Sequence, residues 1–202
     1  MTSLKPQSGD IACYLAACDI IDFHTRDIAN LAQEIADRSA DETAYVKNAF
    51  EYVRDCIAHS ADINGNAVTC KASEVLRAKE GICHAKSHLL AALLRCKQIP
   101  AGFCYQRLLL DDDSAPCLIL HGLNAVFIQE LCKWIRLDAR GNKPGVDAQF
   151  SLAQEKLAFA VRPEKGEEDI PVIFANPNPN VIAALAGSET FEALWANLPS
   201  EL

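Results

Sequence analysis

The sequence lacks several features that would assign it to a common class of protein. No apolar run approaches the ~18 residues that cross a membrane, and the stretch from Ile11 to Ile21 is interrupted by Asp19 and has no basic flank of a signal peptide. Basic residues are outnumbered, with 19 Lys and Arg against 27 Asp and Glu. Nucleic acid and membranes are therefore not expected as partners, because binding to phosphate requires clustered basic side chains.

Paired cysteine motifs are also missing, although the chain has nine cysteines. Their irregular spacing, without a CxxC pair, predicts neither a disulfide framework nor a zinc ribbon. Most of them, including Cys56, Cys96 and Cys104, have apolar neighbours and are expected to be small core residues. We therefore expect a reduced, cytoplasmic protein that holds neither a metal nor another cofactor.

The length and composition predict a single domain over residues 1–202. Half of the residues are hydrophobic, which suffices for a sizeable core without disulfides or metals. We place the core of this domain at about 40–161 and regard 162–202 as a C-terminal extension of loop and short helices.

Helices dominate the first half of the chain and strands follow. Periodicity and turn residues predict helices at 25–36, 41–57, 72–78, 82–97, 151–159, 181–186 and 190–196, and strands at 101–110, 118–128 and 134–138. Asp111–Ser114 is the predicted turn between the first two strands. Helices followed by antiparallel strands indicate an α+β fold.

Cys83 is the first candidate for chemistry because it lies in the first turn of the predicted helix 82–97. There, free backbone N–H groups and the positive end of the helix dipole favour thiolate over thiol. The same N–H groups can receive a developing oxyanion, and Gly81 lets a substrate approach the backbone. These features are typical of a nucleophilic cysteine.

The rest of this helix is expected to be amphipathic. Its leucines form the buried arc, and Cys83 falls at one edge of that arc. His84, His88 and Arg95 fall on the opposite stripe, which we expect to be solvated. Lys86 lies within the apolar arc and is expected to snorkel towards the helix end.

His121 and Asp138 are the candidate partners of the thiol. His121 begins one predicted strand and Asp138 ends the next, so an antiparallel hairpin brings them together. A two-residue turn at 129–130 places them opposite each other, and a four-residue loop at 129–132 makes them diagonal neighbours on one face. An odd-length loop separates them. In either even arrangement, the aspartate can orient the imidazole while its other nitrogen faces a thiol.

Three segments in order carry a family resemblance. The run from Gly81 to Ala101 reads Gly-Ile-Cys, then a Leu/Ala-rich helix, then Ile-Pro-Ala. The second segment is His-Gly-Leu-Asn-Ala-Val-Phe-Ile from His121, and the third is Trp-Ile-Arg-Leu-Asp ending at Asp138. With the helix ending Tyr52-Val-Arg-Asp, they resemble the motifs of the transglutaminase-like superfamily of papain-like thiol enzymes, over about residues 44–140.

This resemblance implies a papain-like α+β core in which N-terminal helices include a cysteine-bearing helix, packed on an antiparallel sheet that carries histidine and aspartate. It implies a Cys83–His121–Asp138 triad that acts through an acyl-enzyme on a peptide or another amide-containing substrate, as a cysteine peptidase, amidase or acyltransferase. One departure is Gly122, where the family has alanine followed by Trp. We expect a more open cleft wall at that position.

Other interpretations stay open. The fold could serve as an inactive binding module, or as an acetyl-coenzyme A dependent N-acetylating enzyme, although nothing resembles a coenzyme A site. Cys83 with His84 and His88 could chelate a metal, and 111–113 could attract calcium but lacks the usual ligand spacing. Asp138 could instead open a turn and pair with Arg140.

Overall fold

The computed structural model describes residues 4–110 and 117–202. The predicted turn at Asp111–Ser114 and the aspartates considered for calcium therefore lie outside the described residues. The helices are α1 (Arg26–Ala36), α2 (Glu42–Cys56), α3 (Ser60–Ile63), α4 (Ala72–Ala78), α5 (Cys83–Cys96), α6 (Pro179–Gly187) and α7 (Phe191–Ala196). The strands are β1 (Lys5–Pro6), β2 (Ala58–His59), β3 (Glu80–Gly81), β4 (Ala101–Leu110), β5 (Cys117–Ile128), β6 (Lys133–Leu137) and β7 (Glu168–Phe174). The α+β fold class is confirmed. No helix in these ranges is long and apolar enough to span a membrane.

Five strands form the main sheet in the order β1-β7-β4-β5-β6. β4, β5 and β6 are successive antiparallel neighbours, β7 runs antiparallel to β4, and β1 is parallel to β7. The expectation of only loop and short helices in 162–202 is wrong for β7. Pro171 weakens the strand pattern there because proline cannot donate to a ladder, and the β4–β7 register shifts between Phe103 and Tyr105.

Helix α5 is the centre of the fold. Helices α1, α2 and α4 pack around it, and β4 and β5 lie against it, so that 12 of its 14 residues are buried. The expected solvated stripe is therefore wrong, since His84, His88 and Arg95 are at most 1% exposed. Local partners make this burial possible: His88 Nδ1 donates to the Cys70 carbonyl, and Arg95 donates twice to that of Ala101.

The β5–β6 hairpin has the four-residue loop at 129–132, one of the two arrangements that the sequence allows. Ile128 pairs with Lys133 at its closed end. Cys132 adopts a left-handed conformation (φ 46°) that completes the turn. Because the loop length is even, inward and outward positions of the two strands stay in phase.

The helix predicted at 151–159 is not formed. The chain there has an isolated bridge between Gln149 and Lys156. The N–H of Ala158 donates to the carboxylate of Asp138 instead of to a helical carbonyl. Tertiary contacts thus override the local helical pattern.

The cysteines are only in part the core residues that their neighbours suggest. Cys104 is buried, Cys96 is half-buried, and Cys56 is exposed. Cys56 is the last residue of α2, and at the end of the helix its apolar sequence neighbours do not ensure that it is covered.

Candidate active site

Cys83 is the first residue of α5, one position inside the predicted helix start. The residue before it, Ile82, has an apolar side chain that cannot cap the first N–H groups of the helix. As a whole residue, Cys83 is half-buried. A cysteine at an uncapped helix N-terminus is in a setting that favours the thiolate.

His121 and Asp138 meet as the hairpin predicts. Asn124 pairs with Leu137 across the two strands, which makes His121 and Asp138 diagonal neighbours on one face. The Nε2–H of His121 donates to Oδ2 of Asp138 at 2.8 Å. Both side chains are buried, with 5% and 1% exposed, so water competes little for this bond.

Backbone N–H groups hold the Asp138 carboxylate in place. Its Oδ1 accepts from the N–H of Arg140 at 3.2 Å, and its Oδ2 accepts from that of Ala158 at 3.0 Å. The guanidinium of Arg140 does not pair with Asp138, as one interpretation suggests, but with Asp62, to which it donates two hydrogen bonds. The charge of Asp138 is thus directed to the imidazole.

Three histidines surround the Cys83 thiol. Its Sγ lies 3.6 Å from Nδ1 of His84. Burial is the largest single influence and raises the pKa of the thiol, but the charges of His84 and His121 and hydrogen bonds from His121 and His59 together outweigh it. The pKa of Cys83 therefore lies well below its ordinary value, which favours the thiolate.

His121 is shifted in the opposite direction. Burial is again the largest influence and lowers its pKa, but the charges of Asp138 and Cys83, with hydrogen bonds to both, raise the pKa well above the ordinary histidine value. The edge of the Phe159 ring packs against the imidazole, with 5.2 Å between ring centroids. Since the bond to Asp138 occupies Nε2, the other ring nitrogen, Nδ1, is the one left for the thiol.

Gly122 departs from the family pattern, and the sequence therefore predicts a more open cleft wall at this position. The structure does not have this opening. A Cβ at this position would lie 2.7 Å from Cδ2 and 3.2 Å from Cα of His84. The imidazole of His84 therefore fills the space that the glycine leaves. His84 and Gly122 form a complementary pair that seats the first turn of α5 directly on β5.

Lys86 is fully buried and does not snorkel. Its Nζ donates to the carbonyl of Arg54, in the last turn of α2, and to the carbonyl of Ile57, just before β2. Burial, the largest cause, and the charge of Arg140 lower its pKa to about 8. The lysine thus joins α5 to the segment that leads into β2.

His59 is a site residue that the sequence does not reveal. It is 9% exposed and lies in β2, a two-residue strand that pairs with β3 so that His59 is opposite Gly81. A strand this short has no periodic pattern. Only its pairing with the residues that precede Cys83 brings the imidazole to the thiol.

A cleft of about 650 Å³ lies beside this cluster. Both His59 and His121 contribute to its wall, and Cys83 does not. The remaining wall combines apolar side chains with charged ones, among them Leu109, Ile119, Phe159, Trp195, Asp62 and Lys143.

No group of three or more His, Cys, Asp or Glu side chains in the described ranges is arranged to hold a metal ion. The Cys83–His84–His88 chelate is not formed, because Nδ1 of His88 is engaged by the Cys70 carbonyl. The arrangement is instead that of a nucleophile with nitrogen bases around it.

Comparison with known proteins gives one family match. The model of the transglutaminase-like superfamily matches residues 29–139, more than half of the chain. No curated protein sequence matches.

Solved structures also match the chain. One is a candidate cysteine protease from Cytophaga hutchinsonii, with a TM-score of 0.54 and 18% identity over 66% of this chain and 43% of that one. Another is the periplasmic domain of TgpA from Pseudomonas aeruginosa, with a TM-score of 0.48 and 17% identity over 65% of this chain and 48% of that one. The chain therefore spans less than half the length of either protein.

Proposed function

The chain belongs to the transglutaminase-like superfamily, and from this premise we propose that Cys83, His121 and Asp138 form a catalytic triad for thiol-dependent acyl chemistry on amide bonds. The observation that carries the proposal is the convergence of a buried His121–Asp138 hydrogen bond of 2.8 Å with a thiol at the start of α5. The directions of the two pKa shifts support a thiolate–imidazolium pair.

In the proposed reaction, the Cys83 thiolate attacks the amide carbonyl and forms a C–S bond. The imidazolium of His121 gives its proton to the departing nitrogen as the C–N bond breaks, which leaves an acyl-enzyme. Water or an amine then attacks the acyl carbon, His121 takes the proton, and the C–S bond breaks. Asp138 holds the imidazole in the tautomer and orientation that both steps need.

The cleft supports a peptide or another amide-containing substrate. Its wall offers apolar side chains such as Leu109 and Trp195, together with the paired charges of Asp62 and Lys143 (2.6 Å). Such a mixture suits an amide chain with side chains of both kinds. Hydrolysis is the preferred outcome, with release to an amine as the competing one.

A reducing, cytoplasmic location is part of the proposal. All nine cysteines are free thiols, and several are exposed, which suits a compartment that keeps thiols reduced.

Selective alkylation tests the proposal. Limiting iodoacetamide near pH 6 should label Cys83 in preference to the exposed Cys18 and Cys56, because only a thiol with a depressed pKa is substantially ionised there. Peptide mapping by mass spectrometry reads out each site. His121→Ala should remove the preference, and His24→Ala, which alters an exposed histidine, should retain it.

Labelling spread evenly over the exposed cysteines, with Cys83 no faster than the rest, would contradict the proposal and favour an inactive binding module. If Cys83 is selective, addition of an amine such as glycinamide to an acylated enzyme separates the two outcomes. Formation of the acyl-amine product shows transfer, and its absence shows hydrolysis.

A further inference from the structure

The proposed attack on a carbonyl creates an oxyanion, which such sites stabilise with two hydrogen-bond donors. The backbone N–H of Cys83, at the first position of α5, can supply one. We propose that the imidazole of His59 supplies the second, as a catalytic residue that contacts the reacting oxygen. This inference rests on the proposed function and adds a residue to it.

The backbone places His59 at the required position. β2 and β3 pair in parallel with His59 opposite Gly81, two residues before the nucleophile. The N–H of Ala58 donates to the carbonyl of Lys79 at 2.9 Å, and Lys86 of α5 donates to the carbonyl of Ile57. The strand that carries His59 is therefore tied to the residue before β3 on one side and to the helix that carries Cys83 on the other.

One nitrogen of His59 has no partner within the described ranges. Its Nδ1 is buried and makes no hydrogen bond there. The imidazole nevertheless shares a hydrogen bond with Cys83, so its other nitrogen, Nε2, is the one that faces the thiol. Because His59 also lies in the wall of the cleft, this nitrogen is placed where an oxyanion formed on the carbon that Cys83 attacks could accept a hydrogen bond.

The charge state of His59 suits an oxyanion donor. Burial, the largest cause, lowers its pKa; Arg140 also lowers it, while the hydrogen bond and charge of Cys83 and the charge of Asp62 act in the opposite direction. The imidazole is therefore neutral at pH 7 and has one N–H. This N–H donates to the Cys83 thiolate before the reaction, and once the sulfur has bonded to the carbonyl carbon it is released to donate to the oxyanion beside it. A neutral donor does not compete with His121 for the proton that the leaving group needs.

His84 is closer in sequence but does not fit this role. Its ring is packed against Gly122, where a Cβ would lie 2.7 Å from Cδ2, and against Tyr105, with ring centroids 6.2 Å apart. It is 1% exposed and is not in the wall of the cleft. A substrate carbonyl in the cleft meets His59 and not His84.

Two reactions of the same thiol test the inference. Acylation of Cys83 by p-nitrophenyl acetate passes through a tetrahedral oxyanion, whereas alkylation by iodoacetamide does not. We expect His59→Ala to slow acylation by roughly 10²-fold, measured as the burst of p-nitrophenolate with the acetyl group mapped to Cys83. Alkylation should change little when both rates are taken at a pH where the thiol is fully ionised.

Matched variants separate the role of a donor from that of packing. His59→Gln keeps an N–H donor and should recover part of the acylation rate, whereas His59→Leu should not, and His24→Ala should react as the wild type. If His59→Ala does not fold, as judged by thermal unfolding, the comparison of His59→Gln with His59→Leu decides the question.

Acylation and alkylation that fall together in His59→Ala would overturn the inference, since His59 would then act only on the thiolate. Equal acylation by the variant and the wild type would overturn it as well. A wild type that acquires no acetyl group on Cys83 would instead reject the proposed function itself. The two failures are thus distinguishable.

Discussion

The two histidines that line the cleft beside Cys83 are held in contrasting ways. His121 lies in the long strand β5, and its Nε2 donates to the buried carboxylate of Asp138 at 2.8 Å. His59 lies in the two-residue strand β2, and its Nδ1 has no partner within the described ranges. Both side chains are less than 10% exposed, so the difference between them is one of partners and not of burial.

This difference sets the charge of each imidazole. Burial lowers the pKa of both, and for His121 the charge and hydrogen bond of Asp138, with those of Cys83, reverse the effect. For His59, the contributions of Cys83 and Asp62 do not suffice, and its pKa stays low. A single carboxylate thus decides which side of the thiol carries the proton.

Removal of that carboxylate should have the largest effect. In Asp138→Asn, the neutral amide no longer supplies the charge that keeps His121 as the imidazolium and no longer fixes its orientation, so the Cys83 thiolate loses its partner. We expect the acylation rate with p-nitrophenyl acetate to fall by roughly 10⁴-fold, about 5.5 kcal/mol in activation free energy. Stopped-flow measurement of the p-nitrophenolate burst gives this rate.

Asp55→Asn is the matched control, since this carboxylate is exposed and pairs with Arg54. It should leave the burst unchanged. A loss of less than about tenfold in Asp138→Asn would mean that Asp138 does not orient the base. The contrast between the two histidines would then have no catalytic consequence.

A smaller effect is expected for Lys86, which joins α5 to the segment that leads into β2 and His59. It should appear in the free energy of unfolding. Lys86 has a pKa lowered to about 8 in the folded protein, with burial as the largest cause, against about 10.4 in an unfolded chain. Between these values the unfolded state binds more protons, so the free energy of unfolding rises with pH in this window. Relative to Lys86→Met, the wild type should gain up to about 3 kcal/mol from pH 7.5 to pH 10.5.

Urea unfolding of both proteins at several pH values measures this difference, because other titrating groups cancel in the comparison. Lys47→Met, at an exposed position of α2, is the matched control for the loss of a lysine. A pH-independent difference for Lys86→Met would mean that the lysine is solvated and does not tie α5 to β2.

The contrast also separates what the sequence predicts from what it does not. His121 and Asp138 could be paired from sequence because β5 and β6 are long alternating strands with an even loop, so that local pattern sets the register. His59 could not, since β2 and β3 contribute two residues each and pair across 20 residues of chain that carry no matching pattern.

Burial of polar side chains is the other part that local pattern misses. Helical periodicity places His84 and His88 on one stripe, but whether that stripe faces water depends on what packs there. In this fold β4 and β5 cover one side of α5 and three helices cover the others. The sequence does not predict strand β7 either, since Pro171 interrupts its pattern and its partner β4 is distant in sequence.

The smallest effect should come from the third histidine, which packs but does not face the cleft. In Gly122→Ala, the new Cβ would lie 2.7 Å from Cδ2 and 3.2 Å from Cα of His84, so the first turn of α5 must shift. We expect a loss of about 1–3 kcal/mol in the free energy of unfolding and weaker selectivity for Cys83 in alkylation, because His121 is the neighbour of Gly122.

Adding His84→Ala removes the ring and should restore part of the stability, whereas Gly9→Ala, with open space around its Cβ, should cost little. If the double variant is no more stable than Gly122→Ala alone, the ring of His84 is not what the glycine accommodates, and the backbone contact alone seats α5 on the sheet.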